Sequence, residues 1–376
     1  MSAAAVTGSG DTGVWPELTL AGWEDTRDTL HLWTQVVGKV RLALEPMVNH
    51  WWQVPFYVSA RGLTTSLMHA DSRGVEIEFD FLDHVVHVVT TDGQHRRVAL
   101  EPRSVASFYR EVMATLDGVG VHVAVLARPV ETARAVPFAQ DDEHCSYDPA
   151  AARRFWAALV QADRVMRRFR AGFVGKASPV HFFWGAFDLA ASRFSGRPAP
   201  KHPGGVPNCA DWVQQLAYSH EVSSCGFWPG GSAEGSFYAY AYPAPDVFAR
   251  WPVEPQAAFY DEGLGEFLLP YAAVRTAEDP DATLLAFLQS TYEAAAELGG
   301  WERAALDEES ETNRGRLAAP GLSAGSGPIR HAGSSSGTPA DKHPTSTLWA
   351  LESATESGAS PSEPTVESGP DLACSG

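Results

Sequence analysis

Two stretches of this chain can be laid over one another without a gap. VPFYVSARGLTTS at Val54 to Ser66 and VHFFWGAFDLAAS at Val180 to Ser192 share Val, Phe, Ala, Leu and Ser at matching positions. A helical pattern precedes each stretch. Farther on, SVASFYREVMATL from Ser104 and TLLAFLQSTYEAA from Thr283 are both cappable helices, with Phe108 and Phe287 at the same offset. Internal similarity constrains a fold more than any single element, because each copy must build the same supersecondary unit. The expectation is an α+β fold of two related helix–antiparallel sheet–helix units packed together, an internal duplication with pseudo-two-fold symmetry.

Composition sets the outer limits. A chain of 376 residues, 44% hydrophobic and 11% aromatic, has material for real cores. Its formal net charge of -18 speaks against sequence-independent binding to nucleic acid or anionic lipid, which draws on clustered Lys and Arg. The N-terminal MSAAAVTGSGDTGVW lacks a basic n-region and an apolar h-region, and no apolar run reaches the roughly 18 residues of a spanning helix. A cytoplasmic location with no membrane partner is expected. Cys145, Cys209, Cys225 and Cys374 are irregularly spaced, without a CxxC pair, and reduced thiols are the default.

The domain layout follows from these shifts in composition. Residues 1–13 are small and polar and are expected to be disordered; the first α+β unit with its connector covers 14–147 and the second 148–307. From 308 to 376 Ser, Gly, Pro, Thr and Glu dominate, and this tail is expected to be disordered too.

In the first unit, Leu30, Trp33, Val37, Val40 and Leu44 recur at helical spacing between Asp28 and Pro46. His31, Gln35 and Lys39 form a polar line on another side, with two readings: a face turned to a cleft, or the commoner solvated helix face, which is preferred. Strands are predicted at 54–60, 63–69, 75–81, 85–90 and 94–100. The third is the clearest: Val75, Ile77, Phe79 and Phe81 alternate with Glu76, Glu78 and Asp80, giving one buried and one acidic wet face. Asp92–Gly93 reads as a hairpin turn, and Ser104 caps a helix to Leu116.

The second unit opens with Asp148 as cap and Pro149 at the first helical position. Arg153, Arg154, Arg164, Arg167 and Arg168 cluster on the opposite face of that helix, expected to be solvated, with docking on the acidic sheet or another anion as the alternative. Strands are predicted at 180–187, 189–194, 219–227, 236–242 and 266–274, and a last helix capped by Asp281 or Thr283 ends at Gly299–Gly300. The loop RPAPKHPGGVPNCADW is too long for a hairpin and has the character of a lid or binding loop. In FYAYAY, Tyr238, Tyr240 and Tyr242 share one face, a tyrosine wall suited to a half-wet interface or a ligand.

The segments WPELTLAGWEDTRDTLHLWTQVVGKVRLALEPMVNHWW, YVSARGLTTS, FYREVMATL, YDPAAARRFWAALVQADRV, SPVHFFWGAFDLAASRFSGR and AYSHEVSSCGFWPGG span residues 15 to 306. In them the chain resembles a bacterial family of unknown function, DUF5996. The resemblance implies no activity, cofactor or catalytic residue, and the tail lies outside it.

For chemistry, His181, Asp188, Arg193, His220 and Glu221 are the polar groups gathered as a candidate catalytic set, with Trp228 and Tyr240 as ligand-binding walls. His accepts a proton near neutral pH, a carboxylate orients it or acts as second acid or base, and Arg clamps an anionic group. Each histidine has a competing structural reading, as a core residue satisfied by a carbonyl. No metal is expected: His181, His202, His220, Glu221, Cys209 and Cys225 match no familiar ligand spacing. There is no GxSxG elbow, and WPGGSAEG lacks the Lys of a phosphate loop. The cofactor is unknown. Two functions follow: binding or transforming a small molecule in an aromatic-lined pocket, or a non-catalytic interaction role using the acidic sheet or the tail.

Overall fold

Helix α1 (Glu24–Leu44) places Leu30, Trp33, Val37 and Val40 in complete burial. It begins earlier than the sequence predicted, because Glu24 and Asp25 in the first turn complement the helix dipole. It stops at Glu45, whose backbone is extended as the following proline demands. The structure, a computed structural model, describes residues 14–230 and 232–308. The segments expected to be disordered, Glu308 aside, lie outside the described residues.

The first sheet comprises β1 (Tyr57–Val58), β2 (Gly62–Thr64), β3 (Met68–Ala70), β4 (Arg73–Asp80), β5 (Val85–Thr90) and β6 (His95–Ala99). Every pairing is antiparallel, in the order β1-β2-β4-β5-β6, with β3 also on β4. Val75, Ile77, Phe79 and Phe81 are buried as the alternation required. The opposite face is less wet than expected. Asp80 is fully buried against Arg61 and His87, while Glu76 and Glu78 accept hydrogen bonds from Thr64 and Ser59. Helix α2 (Val105–Gly118) follows, and the Ser104 side chain accepts from the Ser107 amide.

Helix α3 (Pro149–Ala171) starts where Asp148 accepts from the amides of Ala150 and Ala151. The second sheet then contains β7 (His181–Phe183), β8 (Asp188–Pro198), β9 (His220–Trp228), β10 (Ser236–Tyr242), β11 (Phe259–Asp261) and β12 (Glu266–Pro270), with α4 (Asp211–Ala217) in the loop before β9. Its order is β11-β12-β10-β9-β8-β7, again antiparallel throughout. The strand predicted to reach Val274 ends at Pro270 and turns into α5 (Tyr271–Arg275). Helix α6 (Pro280–Leu298) is capped by Asp279 rather than by the predicted Asp281 or Thr283. Asp281 instead receives Arg164 and Arg168 of α3, so part of the arginine face is spent on a neighbouring helix. A short α7 (Arg303–Leu306) closes the described chain.

Both units run helix, antiparallel sheet, helix, but the second sheet departs from a meander by placing β12 between β10 and β11; one hydrophobic cluster extends through both. Where the sequence match aligns Phe56 with Phe182, these two residues form the isolated bridge that links the two sheets. The first hairpins differ in register. Tyr57 pairs with Thr64, whereas its aligned counterpart Phe183 pairs with Asp188, two residues short of Ala190.

Candidate functional site

A cavity of about 580 Å³ lies between one face of the second sheet and the C-terminal half of α1. Its floor follows from strand parity. Asp188, Ala190, Ser192 and Phe194 of β8, Val222 and Ser224 of β9, and Tyr238 and Tyr240 of β10 all project to that side. Most of the β8 and β9 positions are small, which leaves space that larger side chains would fill. The opposite parity, Leu189, Ala191, Phe227, Phe237 and Ala239, is core.

At the floor the Tyr238 hydroxyl donates to Asp188 Oδ2. Gly226 makes this contact possible, since a Cβ there would collide with the Tyr238 hydroxyl and the Leu189 carbonyl. Asp188 Oδ1 is sealed from solvent with no hydrogen-bond partner. Burial pushes the Asp188 carboxyl up to about 7, against the pull of the Tyr238 hydrogen bond. Beside this pair, the hydroxyls of Tyr218 and Tyr240 lie 2.8 Å apart and those of Ser192 and Ser224 3.0 Å apart. Burial also pushes Glu266, on β12, up to about 7, with Asp261 adding to the effect. The floor is thus a protonatable network rather than a set of fixed charges.

On the wall contributed by α1, the polar line of His31, Gln35 and Lys39 follows the cleft-facing reading and not the preferred solvated one. His31 Nε2 lies 2.8 Å from the Gly185 carbonyl; Gln35 donates to Val130 O at 3.0 Å and accepts from the Val130 amide at 2.9 Å. These bonds tie the 130–131 connector and the 184–186 turn to the helix. Lys39 follows one turn on, 5% exposed, lining the cavity with Nζ 5.8 Å from the Trp184 ring centre. Gly38 gives the indole its place, because a Cβ there would fall inside it, and Trp184 Nε1 donates to Val54 O at 2.9 Å.

The long Pro- and Gly-rich loop does cover the cavity. Asn208, Cys209, Ala210, Trp212, Val213, Gln214, Ala217 and Tyr218 line it. The loop is clamped to the connector by the Glu131 amide donating to Pro207 O at 3.0 Å and Asn208 Nδ2 donating to Thr132 O at 2.7 Å. On the other side, His50 and Trp51 both have positive φ, 59° and 63°, an uncommon conformation for residues with a Cβ. It directs His50 Nδ1 to the Ala217 carbonyl at 2.9 Å and Trp51 Nε1 to the Val213 carbonyl at 3.0 Å. Three apolar side chains at the mouth stay exposed: Leu126 at 75%, Met47 at 57% and Trp212 at 53%.

Of the residues singled out by sequence, Asp188 and Tyr240 line this cavity, while His181, Arg193, His220, Glu221 and Trp228 are outside its lining. Arg193 differs from Asp188 by an odd number of strand positions and so faces the helices. It stacks 3.5 Å from the Phe169 ring centre and 4.3 Å from that of Tyr292, and donates to the Phe169 carbonyl. Glu221 pairs with Arg197 and Ser195, and His220 Nδ1 sits 3.1 Å from Ser219 Oγ. Trp228 packs over Gly230. His181 is buried beside Phe183, its Nδ1 unpartnered, and burial followed by the Arg41 charge drives it down to about 3. Phe187 lies off this strand although the predicted range 180–187 included it: β7 ends at Phe183, and positive φ at Phe187 turns that ring onto Phe155 and Phe182.

Sequence reading did not name Glu131, Tyr218, Ser192 or Ser224 as cavity groups, and reached Lys39 and Tyr238 only as alternatives. The signal available for Lys39 was its place on the polar line of α1; for Tyr238 it was the tyrosine wall.

Among the described residues no group of three or more His, Cys, Asp or Glu is placed to hold a metal ion, and no helix is long and apolar enough to cross a membrane. The model of a family described as a family of unknown function, DUF5996, matches residues 15–308. No curated protein and no solved structure matches the chain.

Proposed function

The chain belongs to the DUF5996 family, and we propose that it binds a small, flat, largely apolar molecule in the cavity and exchanges a proton with it through Asp188 and Tyr238. The observation that carries this reading is the Asp188–Tyr238 pair: a carboxyl held near neutrality at the bottom of an aromatic cavity. A general acid or base works best when its pKa lies near the working pH. A cavity of a few hundred Å³ with apolar walls and a few converging polar groups is the usual form of a small-molecule site. The floor's aromatic rings favour a planar ligand, which stacks without loss of many internal rotations.

The test is native mass spectrometry of gently purified protein, repeated on Ala190→Phe, which fills the cavity from its floor. A retained molecule that disappears in the filled variant supports the reading. Retention unchanged by the filling removes it.

The interaction reading has less behind it, since the acidic groups of β4 are engaged within the chain. We also propose that the units 14–147 and 148–307 arose by duplication and that the protein is cytoplasmic. Support for the first is that each unit holds an all-antiparallel six-stranded sheet between helices, and that aligned residues bridge the two sheets.

A further inference from the structure

The acid–base pair leaves one cavity group unused. Lys39 is almost wholly enclosed, yet among the described residues it forms no salt bridge, and the Glu131 carboxylate acts on it only from beyond contact. An ammonium in such a place has lost its water without gaining a carboxylate in contact. Desolvation lowers its pKa, which enlarges the fraction present as free amine. Nζ is not among the sealed polar atoms, so it keeps access to the cavity.

Two neighbours are arranged around it. Trp184, fixed by Gly38 and by its bond to Val54 O, presents its ring to the amine. Glu131, at positive φ of 57°, lines the same wall, and Gly185 leaves room for its carboxylate, where a Cβ would collide with Oε1. Backbone strain of this kind persists only where the surroundings hold it, and here the Pro207 carbonyl does so. Glu131 is crowded by the wall, which raises its carboxyl, but its surface stays open to solvent.

Resting on the reading of the cavity as a small-molecule site, we propose that Lys39 is a nucleophilic amine that captures an aldehyde or ketone as an imine, with Glu131 carrying the proton. The free amine attacks the carbonyl carbon; a C–N bond forms, the C=O π bond breaks and the oxygen takes the proton that leaves nitrogen. Protonated Glu131 then gives its proton to the hydroxyl, the C–O bond breaks and water departs. The resulting carboxylate takes the remaining N–H proton, so that amine and carbonyl yield imine and water. Lysines activated by an apolar enclosure are a recurring solution to this chemistry.

The experiment uses the full chain, 2-naphthaldehyde and cyanoborohydride, which reduces the imine in place, with peptide mapping at neutral pH. Lys176, Lys201 and Lys342, the other lysines of the sequence, serve as internal references. Lys39 is expected to be labelled about tenfold faster than any of them, and Glu131→Gln to slow it by about tenfold at an unchanged melting temperature. Labelling of Lys39 no faster than the references overturns the proposal, and an unchanged rate in Glu131→Gln overturns the role of Glu131. Binding of the unreactive 2-naphthalenemethanol, followed by saturation-transfer NMR, separates the two levels. If the alcohol binds and Ala190→Phe removes it while Lys39 stays unlabelled, the cavity reading stands and the reactive amine falls; if neither compound engages the cavity, both fall.

Discussion

Phe56 and Phe182 exchange both of their backbone hydrogen bonds, Phe56 N to Phe182 O at 2.8 Å and Phe182 N to Phe56 O at 2.7 Å, and they are the residues that the gap-free sequence match sets against each other. A two-fold relation between the units permits such a reciprocal contact between equivalent residues but does not require it. The same junction carries Trp184 Nε1 to Val54 O, again from the second unit to the first. Side chains cross as well: Trp23 packs on Phe155, and Trp15 on Phe237 and Tyr271.

Because the cores interlock, residues 14–147 and 148–308 expressed separately are expected to lack cooperative thermal unfolding, and to regain it when mixed. Circular dichroism on each fragment and on the mixture checks this. Two fragments that each melt cooperatively alone would show that the junction adds nothing essential.

Strand parity made the fold legible and also limited the view of the site. Val75 to Phe81 announced their buried face, and Asp148–Pro149 announced the start of α3, because local chemistry alone decides such features. Grouping Arg193 with Asp188 ignored that the two positions project to opposite faces of one strand. Lys39 was legible only as one of two alternatives, because helix periodicity says that a polar line exists but only tertiary packing says whether water or a connector covers it; Glu131, in that connector, carried no periodic signal at all. Positive φ at His50 and Trp51 is likewise imposed from outside, by carbonyls of α4 far along the chain.

Arg193 gives a sharp contrast between two substitutions. Arg193→Ala removes a buried stem stacked on Phe169 and Tyr292 and is expected to destabilise by about 2–4 kcal/mol. Arg193→Met keeps most of the volume and discards a guanidinium whose Nε has no partner, so it should cost less than about 1.5 kcal/mol. Neither change should alter ligand retention in the cavity. Urea unfolding of both variants checks the order, and a loss as large in Met as in Ala would mean that the charge itself is required.

Gly38→Ala should be more damaging than its size implies. A methyl group there enters the Trp184 indole, so the ring must move or α1 must shift, at about 1–3 kcal/mol. Since Trp184 also walls the cavity, the variant should lose ligand retention together with stability. Tryptophan fluorescence and thermal melts check the pair of effects; a wild-type melt would show that the indole has another place to go.

The last expectation concerns pH. Asp188 has its carboxyl raised from 3.8 to about 7 in the folded protein, chiefly by burial. Between those values the native state holds a proton that the unfolded chain has released, so stability falls as pH rises through this window and levels off above it. For a fully buried carboxyl the loss is on the order of 2–4 kcal/mol across the window. Glu266, raised to about 7 as well, adds a contribution of the same sign. Asp80 acts oppositely: lowered to about 2 by its hydrogen bonds to Arg61, the 82–83 amides and His87, which outweigh its burial, it contributes stability that is lost only as pH falls below about 4. Asp188→Asn keeps an acceptor for Tyr238 but cannot ionise. The difference in unfolding free energy between Asp188→Asn and wild type should therefore grow in favour of the variant from pH 4 to pH 7, measured by urea titration at each pH. A difference that stays constant over that range would mean that Asp188 is ionised throughout, and the proton-exchange role assigned to it would have to be given up.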